Sequence, residues 1–86
     1  GTNPSLVEAM AAGCAIVAHD NPFNRGVAAH TARYFTSIAD LAQRIRDTLH
    51  HTNDTASLRN QAMARFAAHY RWEPILQGYA RILAGD

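Results

Sequence analysis

Two stretches of this sequence place chemically capable residues at informative spacing. The first is the opening run Gly1-Thr2-Asn3-Pro4-Ser5-Leu6-Val7-Glu8-Ala9-Met10-Ala11-Ala12-Gly13. A glycine-containing loop that feeds a helix start directs several backbone N–H groups toward the loop, and the positive end of the helix dipole adds to their field. Together they make an anion site suited to a diphosphate. Glu8 lies about one turn inside, where a carboxylate accepts hydrogen bonds from a ribose diol while phosphates sit at the helix end. A structural reading competes. Ser5-x-x-Glu8 is also a capping box, in which Glu8 merely satisfies the Ser5 N–H, and on pattern alone the cap is the commoner arrangement.

The second stretch is His19-Asp20, which follows an apolar run and falls at the carboxyl edge of an expected strand, where α/β ligand sites lie. A His–Asp pair there has catalytic potential, and a loop anchor is the plainer reading. His50 and His51 follow a helix, where a cation is mildly favourable. His30 and His69 lack ligand partners three or four residues away, so no metal spacing emerges. A solvated or structural role is the expectation for all five histidines. Cys14 is the only cysteine, which rules out an internal disulfide. Its small apolar neighbours suggest a buried, inert thiol. All eight basic residues are Arg, so neither a Schiff-base nor a P-loop lysine is present in this chain.

These residues need elements to hold them. Asn3 or Ser5 can cap a first helix, with Pro4 in its first turn and Leu6, Val7, Met10 and Ala11 as an apolar stripe ending at Gly13. Cys14–Ala18 is apolar without alternation and is expected as a strand buried on both faces, the parallel-sheet type. Asp20–Gly26 reads as a turn-rich loop and Ala32–Phe35 as a second short strand. Ser37 caps a helix whose residues Ile38, Leu41, Ala42, Ile45 and Leu49 share one face. The polar run His50–Asp54 interrupts it. Thr55–Tyr70 forms the next helix, with Leu58, Ala62, Phe66 and Tyr70 at spacings of four, and a last helix covers Glu73 to Leu83. Phe23 stands in the turn after the first strand, where it can meet a sugar or another domain. Trp72, Tyr70 and Tyr79 read as packing residues.

The order is helix, strand, strand and three helices. Two short parallel-type strands do not make a stable sheet alone. The expected fold class is therefore α/β, the C-terminal part of a doubly wound, Rossmann-like domain, helix-rich with two short parallel strands. At 86 residues there is room for one small domain. The hydrophobic share of 48% is ample for a core and argues against disorder. The net charge of +1 and the scattered arginines argue against a nucleic-acid surface, which needs a dense basic face. No apolar stretch approaches the roughly 18 residues of a membrane span, and the opening residues show no secretory leader pattern. A reducing cytoplasmic setting is the expectation, as is a chain that is a segment of something longer, since it opens on Gly1.

The run Leu6-Val7-Glu8-Ala9-Met10-Ala11-Ala12-Gly13, followed by Cys14-Ala15-Ile16-Val17-Ala18, resembles the second half of the E-x7-E region of GT-B glycosyltransferases. That is the large group 1 class, which includes family 4. The Asn3-Pro4-Ser5 loop and His19-Asp20-Asn21-Pro22-Phe23-Asn24-Arg25 are more particular and resemble bacterial members that add rhamnose or a related sugar to polysaccharide precursors. Tyr34-Phe35 and Ile38-Ala39-Asp40-Leu41 resemble the family's next strand and helix. Phe66 to Leu83, with Tyr70-Arg71-Trp72-Glu73, resembles its closing helices.

The resemblance covers nearly the whole chain, and residues 1–25 are its specific part. It implies transfer of a sugar from a nucleotide-sugar donor to an acceptor hydroxyl, with a retaining outcome, no cofactor and no required metal. Glu8 matches the ribose-binding glutamate. Ser5 and Leu6 match positions whose backbone N–H groups meet the diphosphate, while Thr2 and Asn3 match the loop beside the donor sugar. The first glutamate of the motif, the Arg/Lys pair that neutralises the diphosphate and the acceptor-binding domain are expected outside this chain, so the segment alone is not expected to be active. The parent enzyme is expected to be cytoplasmic, with a possible peripheral association with the membrane and no nucleic-acid partner. Two departures stand out. Gly26 replaces a usual Glu, and Ala28-Ala29-His30 replaces a more usual Leu-Gly-Asp. A non-catalytic α/β interaction module from a truncated reading frame is the competing reading.

Overall fold

The computed structural model describes residues 4–70. Thr2, Asn3 and the expected helix Glu73 to Leu83 lie outside the described residues. Within them the chain runs α1 (Pro4–Ala11), β1 (Val17–His19), α2 (Pro22–Ala28), a 3-10 turn (Ala29–Thr31), β2 (Arg33–Phe35), α3 (Ile38–His50) and α4 (Thr52–His69). It is a helix-rich α/β arrangement, and the two short strands are parallel, with Val17 opposite Arg33, Ala18 opposite Tyr34 and His19 opposite Phe35. The ladder extends past both ends through Arg33 N–H to Ile16 O and Asp20 N–H to Phe35 O. Such an α/β unit is compatible with part of a Rossmann-like domain.

α1 starts at Pro4, whose missing N–H costs nothing in a first turn. Ser5 is thus the second residue of the helix and not its cap, which corrects the Ser5–Glu8 capping box expected from spacing. The far end closes as expected. Gly13 takes φ +72°, its N–H reaches Met10 O, and Cys14 N–H reaches Ala9 O. This is a Schellman closure, in which the left-handed residue favours glycine. Leu6, Val7 and Met10 of α1 then meet Val27, Ala28 and Ala32 in the core, under Ala62 and Phe66 of α4.

The strand expected over Cys14–Ala18 is shorter and shifted to Val17–His19, and its residues are half-buried or exposed. Cys14 is exposed, which corrects the buried thiol. A strand with a ladder partner on one side only cannot reach the two-faced burial that its apolar run suggested. The loop expected over Asp20–Gly26 is largely helix. Asn21 Oδ1 accepts from Asn24 N–H at 2.7 Å, so Asn21 caps α2 with Pro22 as its first residue. Asn-Pro served as a helix start rather than a turn.

Ser37 caps α3 as expected, its hydroxyl accepting from Asp40 N–H at 3.1 Å. The apolar stripe of α3 is the surprise. Ile38 is 88% exposed, Leu49 70% and Ile45 45%. α3 instead contacts the body of the protein through a more polar side. There Arg33 from β2 donates to Thr48 Oγ1 at 3.3 Å and to Thr55 Oγ1 at 2.8 Å. The break before α4 is a single residue, His51, whose N–H bonds Asp47 O while its carbonyl accepts from Thr55 N–H. α4 therefore begins at Thr52, with Asp54 in its first turn, where a carboxylate suits the dipole.

Arginine side chains fasten these elements. Arg59 Nε donates to Gly13 O, just beyond α1. Arg65 donates to Val27 O at 2.7 Å and Gly26 O at 3.0 Å, at the C-terminal end of α2. Those carbonyls lack partners inside their helix, so the guanidinium acts as a cap. The third fastener is Arg33, already described.

Candidate functional site

Of the sequence-derived donor residues, Ser5, Leu6 and Glu8 fall on α1. Ser5 and Leu6 occupy its first turn, the positive end of the helix dipole. Ser5 is exposed, while the Leu6 side chain is 8% exposed and joins the core. The Leu6 side chain is thus committed to packing. Glu8 is half-buried, three residues beyond Ser5 and so on the same face of the helix. The core side of α1 (Leu6, Val7, Met10) fixes the rotation of the helix and with it the direction of the Ser5–Glu8 face. The fold thus brings Ser5, Leu6 and Glu8 together on one short helix. Thr2 and Asn3 lie outside the described residues.

The carboxyl edge of the strands carries a second constellation. His19 is the last residue of β1 and is exposed; Asp20 follows it. No hydrogen bond joins the two side chains. Asp20 is engaged by Arg25 through two hydrogen bonds, one from Nε and one from Nη2 at 2.9 Å. The Arg25 hydrogen bond holds the Asp20 carboxyl below its usual range, against a smaller opposing effect of burial. The same bond raises Arg25. The guanidinium carbon of Arg25 also sits 4.2 Å from the centroid of the Tyr34 ring, a cation–π contact. Burial pushes the Tyr34 hydroxyl up, so it keeps the proton that it donates to Ala29 O at 2.6 Å.

His19 has other partners. Its ring packs edge-on to Phe35, with centroids 5.5 Å apart. Asn21 Nδ2 lies 3.3 Å from His19 Nδ1, and Asn24 Nδ2 donates to His19 O at 3.0 Å. Phe23, in the first turn of α2, is 47% exposed. Sequence reasoning missed the role of Asn21 here. The available signal was Asn21 followed by Pro22, a cap residue with proline at the first helical position.

Among the described residues no group of three His, Cys, Asp or Glu could hold a metal ion. Among the same residues no helix is long and apolar enough to cross a membrane. A hollow of ≈310 Å³ opens at the α3–α4 junction, lined by residues from His50 to Asp54. It is a surface hollow beside a helix break, and none of the sequence-derived donor residues lines it.

A helix start and the carboxyl edge of parallel strands are each places where α/β proteins hold phosphorylated ligands. The sequence matches the model of a family described as glycosyl transferase-like over residues 1–81. The chain belongs to that family, and its general chemistry is glycosyl transfer. No curated protein and no solved structure matches the sequence.

Proposed function

We propose that this chain is the donor-nucleotide-binding part of a GT-B glycosyltransferase of the group 1, family 4 type. In this reading the diphosphate of a nucleotide sugar lies at the start of α1, and Glu8 accepts hydrogen bonds from the ribose hydroxyls. Ser5 and Leu6 serve the phosphates through their backbone, and Thr2 and Asn3 lie beside the donor sugar. The observation that carries the proposal is the start of α1 at Pro4. It puts Ser5 in the first turn of the helix and Glu8 about one turn further on, a spacing that supports the reading. An acceptor hydroxyl is brought by another domain, and leaving-group charge is met by the helix dipole and cationic side chains rather than by a metal.

The finer assignment is a retaining transfer of rhamnose or a related hexose in polysaccharide or glycoconjugate synthesis. The setting is cytoplasmic, with peripheral membrane association of the parent enzyme and no nucleic-acid partner. The resemblance of His19-Asp20-Asn21-Pro22-Phe23-Asn24-Arg25 to bacterial members of this kind supports it.

The test is calorimetric titration of the full-length protein with uridine, thymidine and guanosine diphosphates. One of them binds saturably, and Glu8→Gln weakens it by roughly tenfold to 100-fold, the loss expected for hydrogen bonds to a charged group. Undiminished affinity in Glu8→Gln removes Glu8 from the site. A second reading, a non-catalytic interaction module, draws support from the exposed Ile38, Ile45 and Leu49 stripe. It requires that no nucleoside diphosphate bind.

A further inference from the structure

His19 is exposed and yet oriented, and the proton on its ring can be located by elimination. Asn21 Oδ1 accepts from Asn24 N–H at 2.7 Å, a bond that the Nδ2 end of the amide cannot make, because it too is a donor. The orientation of the Asn21 amide is thereby fixed. Nδ2 is the end that lies 3.3 Å from His19 Nδ1. An amide nitrogen only donates, so Nδ1 must accept, and the neutral imidazole carries its proton on Nε2.

The ring plane is set independently. Phe35, paired with His19 across the ladder, packs edge-on against it at 69° between planes. The backbone below is held from the other side by Asn24 Nδ2 on His19 O and by Asp20 N–H on Phe35 O. Asp20, the neighbouring carboxylate, is hydrogen-bonded to Arg25. The result is a side chain with its tautomer and orientation fixed by neighbours while it remains exposed at the carboxyl edge of the sheet. A side chain that contacts a ligand needs its rotamer fixed by packing and hydrogen bonds of this kind.

We propose that His19 is a substrate-binding residue, whose Nε2–H donates to an oxygen of the sugar carried by the nucleotide, and that Asn21 is the positioning residue that sets its tautomer. The assignment rests on the donor-site reading above and adds the sugar-facing group to it. A sugar hydroxyl or ring oxygen accepts from an N–H of fixed direction, so the contact contributes to the affinity for nucleotide sugars and not to that for the bare nucleoside diphosphate.

The test uses the full-length protein, with ¹⁵N-labelled histidine for two-bond imidazole spectra and with titrations of a nucleoside diphosphate and its hexose derivative. The spectra are expected to place the proton of neutral His19 on Nε2. Asn21→Asp keeps an oxygen for the α2 cap but sets an acceptor against Nδ1, so it is expected to move the proton to Nδ1. His19→Ala is expected to lose about threefold to tenfold in affinity for the nucleotide sugar with the diphosphate affinity unchanged. His19→Gln, whose side-chain amide restores a donor near the Nε2 position, recovers part of the loss. A proton on Nδ1 in the unmodified protein overturns the proposal. So does unchanged nucleotide-sugar affinity in His19→Ala, and that outcome leaves the donor-site reading standing. If no nucleoside diphosphate binds, the donor-site reading falls and this assignment falls with it.

Discussion

Ala29 is the one non-glycine residue at positive φ among the described residues, with φ 50° and ψ −122°. An L-residue there sets its Cβ against its own backbone, and such sparsely populated conformations cost of order 1–3 kcal/mol. The surroundings hold it there. Its N–H bonds Arg25 O and its carbonyl accepts the Tyr34 hydroxyl, so relaxing the backbone would forfeit both bonds. Ala29→Gly removes the clash and keeps the bonds. Against that gain stand the larger unfolded-state entropy of glycine, about 0.5–1 kcal/mol, and the loss of a half-buried methyl, a few tenths more at about 25 cal/mol per Å². The net expectation is stabilisation by about 1 kcal/mol, or a rise in Tm of about 4–8 °C for a domain of this size. The neighbouring residue supplies the control. Ala28 is fully buried at φ −93°, ψ −19°, where alanine is comfortable, so Ala28→Gly is expected to destabilise by about 1–2 kcal/mol from lost propensity and lost burial. Urea unfolding followed by circular dichroism reads both. Two substitutions of the same kind, one residue apart, should move stability in opposite directions; destabilisation by both would refute the backbone assignment at Ala29.

Gly13→Ala is expected to destabilise by about 1–2 kcal/mol, because φ +72° is a left-handed conformation that disfavours any Cβ. The added Cβ would also lie 3.0 Å from Met63 Sδ, but that side chain is flexible. The double variant Gly13→Ala/Met63→Ala should therefore not recover the loss, and recovery in urea unfolding would show that contact rather than backbone strain was responsible. The pH dependence follows from two carboxylates. The Arg25 hydrogen bond lowers Asp20 and the Gln43 hydrogen bond lowers Asp47. A carboxyl lowered in the folded state stabilises fully above its unfolded value, about 4, and that contribution is lost as pH falls through the folded value. Tm is thus expected to drop on acidification below about pH 4, and Asp20→Asn should flatten part of the drop. An acid limb identical in Asp20→Asn and the parent would remove the Asp20–Arg25 pair from the account.

Much of the helical architecture was legible because local signals and tertiary needs agreed. Pro4 and Gly13 bracket α1, and Ser37 starts α3 where its spacing to Asp40 requires. The strand edges and the loop after β1 were less legible. An apolar run such as Cys14–Ala18 states that burial is possible, and only neighbouring strands decide how much is reached. Asn21-Pro22 carries the same residues as a turn and as a helix start, and only the Asn24 N–H distinguishes them. The apolar period of α3 was visible, but period alone does not say which side of a helix meets the protein. The two departures from the resembled family acquire physical content here. Gly26 is exposed with no atom near its missing Cβ, so a longer side chain fits there and its loss disturbs nothing around it. Ala29 stands where that family more usually carries glycine, in a backbone conformation that calls for glycine.

The arginines show what a scattered set of basic residues does for a fold. All eight basic residues are arginines, and Arg25, Arg33, Arg59 and Arg65 are all engaged within the protein. Arg59 and Arg65 bond carbonyls beyond α1 and at the end of α2, Arg33 ties β2 to the α3–α4 junction, and Arg25 clamps Asp20 while lying over Tyr34. A planar guanidinium with several donors serves two acceptors at once, or one acceptor and a ring face, where a lysine ammonium offers a point charge. That geometry explains a structural preference for arginine at these positions without any external anion. In the proposed reading the diphosphate is served by the start of α1, whose direction is set by the packing of Leu6, Val7 and Met10.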